Sequence, residues 1–327
     1  MFGRKEANIL VVKADSLAGF IAAEPAFAAI REAHPKSKIS LLTTGPLQRV
    51  ARASSYFDQV AGIPNLRDAD ARKEFVKQLK LAKFEKVYDL AGNDASKKLQ
   101  SAMGPFGPKW FSASTPSRRR DAKAGLFAPL PDVGALASNA GIEVEERLPD
   151  LHWALSARKD SANMKPSWYG ISGPFGLLLP SLNEANRWTP SGYAGLASMM
   201  AIAGFMPVLA GSKELHDFGD AIADEAPQLV DLTGKTDHLQ LAALAHEAAF
   251  FVSDGAEEVH LAVSVGCEGV LITKNQSSEP AIDGRHVVSL TSGDGVGAVE
   301  PVFVWRTLSN MGLSAGQPDS PQSASAR

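Results

Sequence analysis

The feature that most constrains the fold is a rhythm: short continuous apolar runs alternate with longer stretches of helical spacing, in two series along most of the chain. ILVVK (residues 9–13) is apolar without alternation, as a strand buried on both faces requires. It leads through ADSLAG into an alanine-rich helical stretch ending at Arg31. KISLLTT (38–44) is a second such strand, followed by a helical stretch at 46–53, a turn at 62–64, helical spacing over 75–83 and a strand opening at KVYD (86–89). Strands joined through helices pair in parallel by right-handed crossovers. Residues 103–131 then fill with Gly, Pro, Ser and Arg, and a modest helix is expected over 133–140.

A polar stretch with Pro and Gly, 157–174, reads as a linker, and the rhythm resumes beyond it. Strands are expected at 175–180, 206–211, 229–234, 249–254 and 269–273, with helices at 193–204, 214–226, 239–248 and 259–265. The fold class is therefore α/β, with one parallel α/β domain at 1–156 and another at 175–313. A tail, 314–327, has no apolar periodicity and is expected to be disordered.

Composition excludes several function classes. A net charge of -3 offers nucleic acid no global attraction. The lone Cys267 excludes an intrachain disulfide and any multi-cysteine metal centre, and it fits a reducing compartment. No apolar run approaches the ~20 residues of a membrane span, and residues 1–13 lack a signal-peptide core, so a cytoplasmic protein is expected. The seven histidines form no paired spacing such as HExxH, so neither a metal nor another cofactor is expected. TGKT (233–236) lacks the upstream glycine of a P-loop, because Leu229 stands there, and Thr236 or Asp237 is expected to cap the next helix. GDGVG (293–297) lies too late in the second series for a dinucleotide fingerprint and reads as a loop. No GxSxG elbow of a serine hydrolase occurs.

Several segments, in order, carry a resemblance: the run from ILVVKADSLAGF to LLTT, VYDLAGNDAS, GPFGPKWFSAS, NRWTPSGYAGLA, DLTGKTDHLQLAAL and SDGAEEVHLAVSVGC. Together they resemble glycosyltransferase family 9, the heptosyltransferase-like enzymes of lipopolysaccharide assembly, from about residue 8 to 313. The resemblance implies two Rossmann-like domains facing across a cleft. It implies a nucleotide-sugar donor held mainly by the C-terminal domain, an acceptor held by the N-terminal one, and chemistry without a metal.

Within that frame, Asp254 and His260 are donor-binding candidates, since AFFVSD ends a strand and GAEEVHLA opens a helix whose N-terminus would suit a diphosphate. Gly255 and Ala256 depart from the family's Thr-Gly, and Glu257 and Glu258 place negative charge nearby. Asp254 as a helix cap and His260 as a packed residue are the structural alternatives. Arg187 and Trp188 follow the first strand of the second domain, and a guanidinium there would clamp phosphate, although Asn186 stands where the family has lysine. Glu214 matches a glutamate near the donor ribose, or favours a helix start. Lys13, at a strand end, would meet a phosphate or simply leave the sheet edge.

The family's general-base aspartate falls on Gly19, which cannot accept a proton, so Asp15 is the nearest substitute, with a capping role as its alternative. Arg118, Arg119 and Arg120 form a basic cluster that would be a solvated loop or a peripheral contact with anionic lipid at the inner face of the cytoplasmic membrane. The chain is thus expected to be a metal-independent inverting glycosyltransferase, moving a sugar such as a heptose to a cell-envelope glycan or lipopolysaccharide acceptor. The rival from another class is a non-catalytic homologue that binds a nucleotide-sugar or a partner protein, and a nucleotide-sugar epimerase is a third reading.

Overall fold

The computed structural model describes residues 7–66, 68–112, 136, 139–145, 147–156, 161–274 and 287–314. The chain divides into two compact units, Met1–Arg158 and Lys159–Arg327.

In the first unit five parallel strands stand in the order β3-β2-β1-β4-β5: β1 Asn8–Val12, β2 Lys38–Thr43, β3 Gln59–Gly62, β4 Lys86–Asp89 and β5 Lys109–Ser112. β1 is central, and its residues Ile9, Leu10, Val11 and Val12 are all buried, as an apolar run without alternation demands. On one face Leu10, Val12, Leu42 and Val87 pack with Leu79, Leu99 and Met103 from the helices Ala69–Leu81 and Asp94–Met103.

Local chemistry explains where the expected elements shift. The helical stretch running to Arg31 breaks at Ala23 into Leu17–Ala22 and Glu24–Ala33, because Pro25 lacks an N–H and suits the first turn of a new helix. The helix expected at 75 begins at Ala69, where the Asp68 carboxylate accepts from the N–H of Asp70 and Ala71. Strand β3 precedes the expected turn. β5 and the helix Asp94–Met103 occupy sequence in which neither was expected. Of the helix expected at 133–140, only Leu136, Asn139 and Ala140 are described.

The second unit holds six parallel strands in the order β11-β10-β9-β6-β7-β8: β6 Phe175–Leu179, β7 Met206–Leu209, β8 Val230–Asp231, β9 Phe250–Ser253, β10 Gly269–Ile272 and β11 Val287–Leu290. Its core joins Leu178, Phe250, Val252 and Ile272 to Tyr193, Leu196 and Met200 of the helix Pro190–Ile202 and to Val304 and Leu308 of the helix Pro301–Asn310. Neither β11 nor that last helix was expected. Asp237 caps the helix His238–Glu247 in a full capping box with Gln240, as the TGKT segment led one to expect. Residues 315–327, most of the expected tail, lie outside the described residues.

Strand order reverses between β1 and β4 in the first sheet and between β6 and β9 in the second. Ligands of open parallel sheets bind beyond the carboxyl ends of strands at such switch points.

Candidate functional site

At the first switch point, Lys13 follows β1 with a side chain only 1% exposed. Its Nζ donates to Asp15 Oδ2 at 2.6 Å and to the carbonyl of Leu90, beyond β4, at 3.1 Å. A buried ammonium needs such a partner, so Lys13 fixes the Asp15 carboxylate, which remains partly exposed. Ser16, not Asp15, caps the helix Leu17–Ala22, by accepting from Gly19 N at 3.1 Å. Asp15 precedes the helix, four residues before Gly19, with its carboxylate on the Gly19 side. A Cβ placed on Gly19 would stand 2.9 Å from Asp15 Oδ2 and 3.0 Å from its Cγ. The Asp15 carboxylate therefore fills the space that a side chain at position 19 would enter.

Also in the first unit, a groove of about 1000 Å³ runs between the segment 63–66 and the helices Ala69–Leu81 and Asp94–Met103. Arg72, Lys97 and Lys98 give it a basic character, tempered by the Asp94–Lys97 pair at 3.9 Å. Arg118, Arg119 and Arg120 lie outside the described residues.

At the second switch point Asp254 is 3% exposed and clamps the loop after β6: Oδ1 accepts from Ser181 N at 2.5 Å and Oδ2 from Trp188 N at 2.6 Å. Burial raises its pKa, against the two N–H groups, which lower it. Tyr193, fully buried beside it, has its phenol raised well above the ordinary value by burial and then by the Asp254 charge. Asp254 is thus a brace between β9 and the β6 loop rather than a helix cap. No side chain caps the helix Glu258–Ser264 at its N-cap Glu257; Ser253 Oγ instead closes the loop before it, accepting from Gly255 N at 3.2 Å and Ala256 N at 3.1 Å. Those two N–H groups, which the sequence left open for a diphosphate, are already engaged, and the helix Glu258–Ser264 has only seven residues. Burial raises the carboxyl of half-buried Glu258, and the Glu257 charge raises it further. His260 Nδ1 lies 3.2 Å from the Glu257 carbonyl, which can only accept, so Nδ1 carries the proton of that bond.

Arg187 stacks over Phe218 at 4.6 Å and pairs with Glu184 at 3.2 Å, its side chain 12% exposed. Glu214 is exposed, and its pKa is lowered by the hydrogen bond it accepts from Ser212 Oγ. A group that sequence reasoning missed, Lys274, follows β10 and donates to the Ala185 carbonyl at 2.9 Å. No local signal could reveal it, since 89 residues separate the partners. His216, Asp220 and Asp231 bring ligand atoms within 4.8 Å of one another, but His216 and Asp220 are exposed and Asp231 Oδ1 already accepts from Thr233 N at 2.8 Å. Among the described residues no helix is long and apolar enough to cross a membrane.

Residues 72–272 match the model of glycosyltransferase family 9 (heptosyltransferase). The chain belongs to that family. The structure is similar to the Escherichia coli ADP-heptose LPS heptosyltransferase II at a TM-score of 0.73 and 16% identity, covering 94% of this chain and 98% of that one. A glycosyl transferase family 9 protein from Veillonella parvula gives 0.69 and 17%, covering 94% and 97%. The E. coli heptosyltransferase WaaC with ADP-2-deoxy-2-fluoro heptose gives 0.69 and 16%, covering 93% and 99%. At such identities the likeness shows the fold, two parallel α/β sheets of the glycosyltransferase B type. No curated protein sequence matches the chain.

Proposed function

We propose that this member of the family transfers a sugar, with a heptose carried on ADP as the first candidate, to an anionic cell-envelope glycan such as a lipopolysaccharide core, working from the cytoplasmic side. The observation that carries the reading is the Asp15 carboxylate lying in the space a side chain at Gly19 would enter. The resemblance puts the family's general base at Gly19, and Asp15 supplies a carboxylate there from four residues earlier. In the transfer Asp15 takes the proton of the acceptor hydroxyl as that oxygen attacks the anomeric carbon. The bond to the diphosphate breaks with inversion. Lys13 keeps the carboxylate in place, and the groove with Arg72 and Lys98 suits an acceptor bearing phosphate or carboxylate groups.

The donor half belongs to the second unit. Asn186 cannot supply the ammonium found at that position in the family, and Lys274, bonded to the carbonyl one residue earlier, brings one to the same loop. Lys274 and Arg187 would meet the diphosphate as it leaves, with His260 and Glu214 at the sugar and ribose. Asp254 serves by holding that loop.

Two observations favour the second reading, a homologue that binds a nucleotide-sugar without transferring it: Arg187 is already paired with Glu184, and the N–H groups of Gly255 and Ala256 with Ser253. Turnover measured with a panel of nucleotide-sugars and deacylated lipopolysaccharide acceptors, alongside donor binding in the same samples, separates the two readings. Transfer that falls at least ~10²-fold in Asp15→Ala supports the enzyme. Donor binding with no transfer from any donor supports the second reading, and absence of both overturns the proposal.

A further inference from the structure

The first unit carries a second surface feature, at the amino ends of β4 and β5, away from the strand ends that bear Lys13 and Asp15. The helix Asp94–Met103 stops at Gly104 (φ 83°), and Gly104-Pro105-Phe106-Gly107 closes a tight turn through Gly107 N to Gly104 O at 3.2 Å. The turn is tight at Gly107, where a Cβ would stand 3.1 Å from the Gly104 oxygen and the backbone would have to yield by a few tenths of an ångström. The turn holds Phe106 out to solvent at 101% of its reference exposure. Leu81, at the end of the neighbouring helix, is 69% exposed. Phe106 lines a groove of about 720 Å³ with Leu79 and Met103 buried beneath, and its rim carries Lys80, the helix neighbour of Leu81, with Lys83 and Lys109, against the single acid Glu85. Exposed apolar side chains interleaved with lysines have the composition of a segment that lies at a membrane interface.

We propose that this face docks on an anionic lipid bilayer, with Phe106 and Leu81 entering the headgroup boundary while Lys80, Lys83 and Lys109 meet lipid phosphates. A protein partner would offer a pocket shaped to a side chain, whereas a phenyl fully exposed at the tip of a turn suits a fluid interface. Lysines with apolar stems settle at headgroup level around it, and their charge is complementary to acidic lipid. The proposal stands independently of the transfer reaction. It places the lipid contact on described residues rather than on Arg118, Arg119 and Arg120.

Cosedimentation of the full chain with phosphatidylcholine vesicles, and with vesicles that also contain phosphatidylglycerol, tests it. Binding is expected only with the acidic lipid and weakens as salt rises. Lys80→Glu with Lys109→Glu, and Phe106→Ser separately, each lower the partition coefficient by at least ~10-fold, all positions being exposed and the fold checked by circular dichroism. Cys267 is buried, so Phe106→Cys accepts an environment-sensitive label at that one site, whose emission shifts to the blue on the acidic vesicles. Absence of vesicle binding, binding that none of these variants weakens, or a label that does not respond while the chain sediments overturns the proposal. The last outcome places the contact elsewhere on the chain.

Discussion

Asp15 and Gly19 form a coupled pair. If Gly19 were merely a vacancy left by a lost base, restoring aspartate there would raise activity. The geometry predicts the reverse for the single variant, since a Cβ at 19 meets the Asp15 carboxylate at 2.9 Å and the second negative charge would repel it. Gly19→Asp is therefore expected to lower turnover by at least ~10-fold, while Asp15→Ala with Gly19→Asp recovers part of what Asp15→Ala loses. Steady-state rates of the four proteins complete the cycle, and purely additive losses would separate the two positions. Asp254 makes a structural prediction of the same kind. In Asp254→Asn one side-chain oxygen becomes an NH₂ group that cannot accept from Ser181 N or Trp188 N, leaving a buried donor facing a donor. A loss of about 2–4 kcal/mol in urea unfolding is expected. A smaller change than ~1 kcal/mol would mean that the loop holds without its brace.

The central strands were legible in the sequence because they are buried on both faces and need no alternation: β1, β2, β6 and β9 stand out as apolar runs. β3 was hidden because QVAG is short, half-exposed and lies at a sheet edge. The helix Asp94–Met103 was hidden because few of its side chains, Leu99 and Met103 chief among them, mark an apolar side. The site divides in the same way. Lys13, Asp15 and Asp254 follow strand ends and could be read, whereas Lys274 on Ala185 and Arg147 on buried Glu24 join residues 89 and 123 positions apart. Packing between strands adds a constraint the sequence conceals as well. Gly176 on β6 faces the Phe250 ring of β9, and a Cβ there would lie 2.3 Å from its Cε2 with Met200 at 2.9 Å on the same side. Both neighbours are fully buried, so neither can yield cheaply. Gly176→Ala is expected to cost about 1–3 kcal/mol by overpacking, read as a lower midpoint of thermal unfolding with the parallel sheet retained.

Two compact units make the division of labour testable on the whole molecule. The second unit, Lys159–Arg327, closes a core of its own: Trp188 is 1% exposed and donates from Nε1 to the Val299 carbonyl at 2.8 Å, tying the β6 loop to the segment before the helix Pro301–Asn310. A length near the common domain size is enough to bury such a core without help. The residues proposed to hold the donor, Arg187, Glu214, His260 and Lys274, all belong to this unit, and the proposed base belongs to the other. Expressed alone, residues 159–327 are expected to unfold cooperatively and to bind the donor diphosphate within about tenfold of the full chain, because no donor contact has been removed. The fragment should show no transfer whatever the acceptor. In the fragment as in the full chain, Arg187→Ala should weaken binding by about 1.5–3 kcal/mol, the scale of a charge-assisted hydrogen bond in calorimetry. If the fragment folds and the full chain binds but the fragment does not, contacts from Met1–Arg158 hold the donor, and its assignment to the second unit is wrong.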